Sequence, residues 1–237
     1  MREFEAEKKV FVAHFDVLGM KSLLKKSNFE AWQIICDLAE AKDTHELQIT
    51  DDSRKSLNER FFSDTIIIST SNDSIGSLHT IIARSFELFR CAFRESIPLR
   101  AGIAHGSWFE SNEKNLHLFT GDALLKAYDI GESQQLIGIS TCDEVKNRFL
   151  AEPFVISGKD VMIDYPVPLK NGDCPYRTLL NWPAFCRQEL VMLGDLTEQT
   201  LMHYFYSFRD IELSNNSARD KYRNTVKFIK YMKDTYG

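Results

Sequence analysis

The chain has 237 residues, 43% hydrophobic and 27% charged, with 17 phenylalanines and a net charge of −5. These are values of an ordinary globular protein with ample core material, one large domain or a domain with a helical extension. No Lys/Arg tract is long enough for a nucleic-acid arm and no apolar stretch nears the roughly 18–20 residues that span a membrane, so neither partner is expected.

Met1–Lys9 is charged and mixed, unlike a signal peptide. Lys9 to Val17 reads as a strand, and Gly19 allows a tight turn into a helix over Met20–Lys26. A second helix is predicted from Phe29 to Ala41, capped by Asn28. Residues 42–57 are polar and read as a connector. Glu59–Ser63 and Thr65–Thr70 form a predicted hairpin with Ser63-Asp64 at its bend. Asp73 or Ser74 caps a long amphipathic helix to Arg94. A strand over Leu99–His105 ends at Gly106. A helix over 122–134, a strand over Leu136–Ile139 and a helix over Thr141–Phe149 come next. Short strands fill 151–182, and helices are expected over Phe185–Phe208 and Ala218–Met232. This order predicts an α+β sandwich, a mostly antiparallel sheet with helices packed on it. The cysteines, Cys36, Cys91, Cys142, Cys174 and Cys186, show no CxxC spacing and read as free thiols of a reducing cytosol.

Two aspartates stand out. Asp16 ends an apolar run, Val10 to Val17, and Asp64 interrupts another, Phe61 to Ile68. A carboxylate in such a run costs desolvation energy unless something compensates it. Two carboxylates brought together repel, and a divalent cation compensates both. Only the fold can bring them together. Gly19 and Met20 open a helix directly after Asp16, and free amides at a helix start can hold phosphate. Arg100, in Leu99-Arg100-Ala101-Gly102-Ile103, could reach phosphate oxygens. The competing readings are a helix N-cap for Asp16, a hairpin turn for Asp64 and an ion-paired strand arginine for Arg100.

These segments resemble the class III nucleotidyl cyclase catalytic domain. Phe15-Asp16-Val17-Leu18-Gly19-Met20-Lys21 is similar to that family's F-D-[IV]-x-G-[FM]-[TK] segment, and Phe62-Ser63-Asp64-Thr65 falls at its second metal aspartate. Arg100-Ala101-Gly102-Ile103-Ala104-His105-Gly106 resembles its R-x-G-I-x-x-G strand, and Gly121 to Ala127 its following helix. Together they cover about residues 8–145. The resemblance implies a class III nucleotidyl cyclase-like sandwich with a C-terminal helical extension. Residues 1–150 would be the catalytic domain, and 151–237 strands and helices packed on it. It implies two Mn²⁺ or Mg²⁺ ions on Asp16, Asp64 and the Val17 carbonyl, a triphosphate on Gly19, Met20 and Arg100, and a homodimer with composite sites.

The base-reading half departs from the purine pattern. Where purine cyclases have Asp, Asn, a transition-state Arg and a base-reading Lys, this chain has Leu118, Leu125, Asp129 and Arg60. A rewritten pocket, an F-D-x-L-G-[MF] start and a C-terminal extension resemble the Pycsar pyrimidine cyclases. That likeness implies UTP, with CTP second, converted to the 3′,5′-cyclic monophosphate in bacterial anti-phage defence. Arg60 and Leu118 would then meet the base, and Lys126 and Tyr128 would replace the missing Asn and Arg. The alternatives are an adenylate or guanylate cyclase, or an inactive cyclase-like nucleotide sensor. Neither the activating signal nor the cyclic-nucleotide effector is legible in the chain.

Overall fold

The computed structural model describes residues 7–41, 51–113, 116–156, 158–205 and 216–236. Its elements run β1 (Lys8–Val17), α1 (Met20–Lys26), α2 (Asn28–Ala39), α3 (Asp51–Lys55), β2 (Leu57–Phe62), β3 (Thr65–Thr70), α4 (Ile75–Arg94), β4 (Leu99–Glu113) and β5 (Leu116–Thr120). They continue with α5 (Asp122–Ser133), β6 (Gly138–Thr141), α6 (Asp143–Ala151), β7 (Val155–Ile156), β8 (Lys159–Asp160), β9 (Met162–Pro166) and β10 (Tyr176–Leu180). Four helices close the chain: α7 (Trp182–Phe185), α8 (Arg187–Met192), α9 (Glu198–Tyr204) and α10 (Asn216–Tyr236).

The main sheet has the order β2-β3-β1-β4-β6-β10-β9, with β5 folding back on β4. Every pairing in it is antiparallel except β4 with β6. This is the expected α+β sandwich. Among its inner strands is β1, whose side chains alternate between faces. Phe11, Ala13, Phe15 and Val17 enter the larger core. Val10 and Val12 enter a smaller one on the opposite face, where His14 and Asp16 continue the same row.

The two faces are covered unequally. α4 packs Leu78, Ile81, Ile82, Phe86 and Phe89 into the larger core with Ile66, Ile68, Ala101 and Ile103. α5 covers the smaller one, placing Ala123 and Ala127 near Val10, Val12, Ala104 and Trp108. Small residues let α5 lie directly on β4. A Cβ at Gly102 would stand 2.8 Å from the Gly131 amide nitrogen and would overlap the Ala127 carbonyl.

The C-terminal part joins the same architecture. β10 pairs with β6 and so extends the sheet. From α10, Thr225 Oγ1 accepts from the Ile137 amide at 2.9 Å, and Phe228 and Ile229 enter the larger core.

Several boundaries differ from the sequence reading. Ser27, not Asn28, caps α2, its hydroxyl accepting from the Glu30 amide at 3.2 Å. Part of the expected 42–57 connector is α3, whose Arg54 pairs with the buried Glu87 of α4, a partner invisible to a local reading. β4 does not stop at Gly106, because β5 pairs with its extension. The sixth strand begins at Gly138, two residues later than predicted. The long helix expected over 185–208 is three short ones, since a Thr197–Thr200 capping box starts α9 afresh. Residues 206–208 of that expectation lie outside the described residues.

Candidate active site

Asp16 lies one residue from the end of β1, paired across the ladders with Thr65 of β3 and Arg100 of β4. The Val17 amide donates to the Asp64 carbonyl at 2.8 Å, which staples the β2–β3 bend to the end of β1. The bend itself turns on Ser63 at φ 55°, a left-handed conformation uncommon for a residue with a side chain. In consequence Asp16 and Asp64 line one cavity of about 270 Å³, with His14, Thr65, Arg100, Tyr128, Gly131 and Glu132. Asp16 is not a helix cap. Gly19 holds that position at φ 84° with no side-chain bond. Its left-handed backbone is the reason a glycine stands there. The first turn of α1 leaves amides without intrahelical acceptors.

Arg100 is buried, with 3% of its surface exposed. Its Nη2 donates to Asp16 Oδ2 at 2.5 Å and also to the Glu132 carboxylate. Its Nη1 donates to the Glu132 carbonyl at 3.0 Å. Within one chain it is therefore the ion-paired strand arginine. Its Nε is buried without a partner among the described residues. The other Glu132 oxygen accepts from Lys170, in the turn between β9 and β10. Burial, with repulsion from Arg100 next, lowers the Lys170 ammonium to about 8. Burial also lowers the His14 imidazole below 6.5 against the opposing pull of Asp16, so it is neutral at pH 7. Tyr128 meets His14 edge-on at 5.2 Å.

Of the remaining predicted positions, Tyr128 lines this cavity and the others lie elsewhere. Arg60, on β2, pairs with Glu110, donates to Ser69 Oγ at 3.2 Å and covers the Phe119 ring at 4.7 Å. Lys126 pairs with Asp122 at 3.0 Å. Leu118 is exposed on β5. Tyr128 borders both the acidic cavity and a wider cleft of about 710 Å³ with Phe109, Gly121, Leu124 and Leu125. Gly19 and Met20 open α1 beyond the end of β1.

The fold thus brings Asp16, Asp64, Arg100 and Tyr128 to one cavity and leaves Val17, Gly19, Met20, Arg60, Leu118 and Lys126 outside its lining. Sequence reasoning gave His14, Glu132 and Lys170 no role in the site. His14 was findable, since a residue two before Asp16 in a strand shares its face. Glu132 and Lys170 carry no motif that marks them.

Among the described residues, no group of three or more His, Cys, Asp and Glu side chains is arranged to hold a metal ion. The cavity nevertheless offers carboxylate oxygens, the hard donors that suit Mg²⁺ or Mn²⁺. On donor chemistry Asp16 and Asp64 fit such ions.

No protein-family profile matches the chain. No curated protein matches it. Solved structures do. The guanylyl cyclase Cya2 superposes with a TM-score of 0.51 at 11% identity, over 75% of this chain and 92% of that one. A bacterial light-regulated adenylyl cyclase gives 0.55 at 13% identity, over 89% of this chain and 58% of that one. The non-canonical dimeric guanylyl cyclase domain of the RhoGC fusion protein from the aquatic fungus Blastocladiella emersonii gives 0.53 at 12% identity, over 75% and 98%. At these identities the likeness is one of fold, and the fold is that of nucleotide cyclase domains.

Proposed function

We propose that this chain is a nucleotide cyclase that converts a pyrimidine nucleoside triphosphate, UTP before CTP, to its 3′,5′-cyclic monophosphate and pyrophosphate. The observation that carries the cyclase reading is the convergence of Asp16, from the end of β1, and Asp64, from the β2–β3 bend, on one cavity of a cyclase fold. Asp16, Asp64 and the Val17 carbonyl would hold Mn²⁺ or Mg²⁺. Bound there, the ions supply charge for the triphosphate and acidity for the ribose 3′-hydroxyl. Gly19 and Met20 amides and Arg100 orient the phosphates, and Arg100 must exchange a carboxylate partner to do so. Neutral His14 adds no charge beside the metal ligands.

The base preference rests on the sequence, where the purine-reading positions hold Arg60, Leu118, Leu125 and Asp129. For Arg60 to meet a pyrimidine edge it must share its donors with Glu110. Lys126 and Tyr128 stand in for the missing Asn and Arg, and Tyr128 borders the cavity. The second copy of a homodimer is supported by Phe109, Leu118, Leu125 and Tyr128, all exposed. No helix among the described residues is long and apolar enough to cross a membrane. A cytoplasmic second-messenger role in anti-phage defence completes the reading.

The test is incubation of the purified protein with ATP, GTP, CTP and UTP separately, with Mn²⁺, and mass spectrometry of the products. A 3′,5′-cyclic pyrimidine nucleotide is expected. Cyclic AMP or cyclic GMP as the main product overturns the pyrimidine assignment and keeps the cyclase. Nucleotide binding without any product points to a sensor. In the same assay Arg60→Ala should change the ratio between nucleotides. An equal loss for all four removes it from base reading.

A further inference from the structure

Glu132 stands at the C-terminal turn of α5, and both of its carboxylate oxygens are taken by cations, one by Arg100 and the other by Lys170. Its carbonyl takes a second Arg100 donor at 3.0 Å. Arg100 comes from β4 and Lys170 from the β9–β10 turn, so two distant elements converge on one carboxylate at the cavity wall. An anionic group bridging a guanidinium and an ammonium makes the contacts that a phosphate makes. Arg100 is also incompletely served in this arrangement, since its Nε is buried without an acceptor among the described residues. A buried donor left unpaired is costly, so a seat with another anionic oxygen would satisfy it better.

We propose that Glu132 is an internal stand-in for a substrate phosphate, holding Arg100 and Lys170 together until a triphosphate displaces it. The proposal rests on the nucleotide-binding reading of this cleft. It makes Glu132 a positioning residue with an inhibitory side. It holds Lys170 beside Arg100 at the cavity wall, and it lowers apparent phosphate affinity by the fraction of time it occupies them. The β9–β10 turn is thereby coupled to the site, because anything that draws Lys170 away loosens the stand-in.

The test is calorimetric titration of the full chain with inorganic tripolyphosphate in the absence of divalent ions. Glu132→Gln, close in shape and part-exposed, should bind about tenfold tighter than wild type. The double variant Glu132→Gln with Lys170→Met should lose that gain. Asp143→Asn, exposed on α6, changes net charge equally and should bind as wild type does. Glu132→Gln binding no tighter than wild type overturns the proposal. So does the same gain in Asp143→Asn, or a gain that survives Lys170→Met. The readout needs no turnover. A chain that follows the expected pattern yet cyclises no nucleotide would retire the cyclase reading and leave the stand-in standing.

Discussion

Asp16 and Asp64 differ in what surrounds them, and so in what their removal should do. Asp64 contributes its carbonyl to the Val17 amide, and that bond survives any side-chain change. Asp64→Asn should therefore unfold within about 0.5 kcal/mol of wild type while cyclase turnover falls roughly 100-fold or more. Asp16 also balances buried Arg100. Asp16→Asn should lose activity to the same degree and cost about 1–3 kcal/mol of stability. Urea unfolding beside a turnover assay separates the two, and equal stability losses would contradict the distinct roles. The individual aspartates were visible in the sequence because a charge in an apolar run is locally anomalous. Arg100 was legible as a candidate too, but not the contacts that join these residues. The Asp16–Arg100 contact is a matter of cross-strand register, and Glu132 is set by how far α5 travels over β4.

The contact between α5 and β4 depends on missing side chains. Gly102→Ala would drive a methyl into the Ala127 carbonyl and toward the Gly131 amide, so α5 must lift. The expected cost is about 1–3 kcal/mol. Turnover should fall as well, because Tyr128 and Glu132 ride on the displaced helix. A Gly102→Ala protein with wild-type unfolding would show that α5 is not seated as described. At the other end of α5, hydrogen bonds from Ser107, then Lys126, hold the Asp122 carboxyl at about 2, below its ordinary 3.8. A depressed carboxylate stabilises fully above its unfolded pKa and loses that contribution as pH falls through its folded one. The Asp122→Asn deficit in melting temperature should be whole at pH 5 and gone near pH 2. A deficit constant across that window would place its cause in packing. The sequence reading placed the helix over 122–134. It could not reveal the closeness of the packing, although two glycines facing each other across a strand and a helix are its physical trace.

The uneven covering of the sheet decides the behaviour of the whole molecule. α4 and its neighbours bury one face, whereas α5 leaves an apolar margin on the other, with Leu125 61% and Leu118 58% exposed beside Phe109 and Tyr128. Large apolar side chains grouped beside a polar cavity mark an interaction surface more often than an accident of composition. Tyr128 belongs to both the margin and the cavity, so a second copy seated on the margin would wall the site. The sequence supplied the residue types for this surface but not their grouping, which arises only when β5 folds back beside α5. Leu125→Lys places a charge in the margin without touching Asp16, Asp64 or the core. It should move the protein toward monomer in sedimentation velocity, leave its melting temperature at low concentration unchanged, and lower turnover per chain at least tenfold at micromolar protein. Raising the protein concentration should recover part of that turnover, since mass action refills a weakened dimer. Full activity in a demonstrably monomeric Leu125→Lys protein would show that one chain completes the site alone.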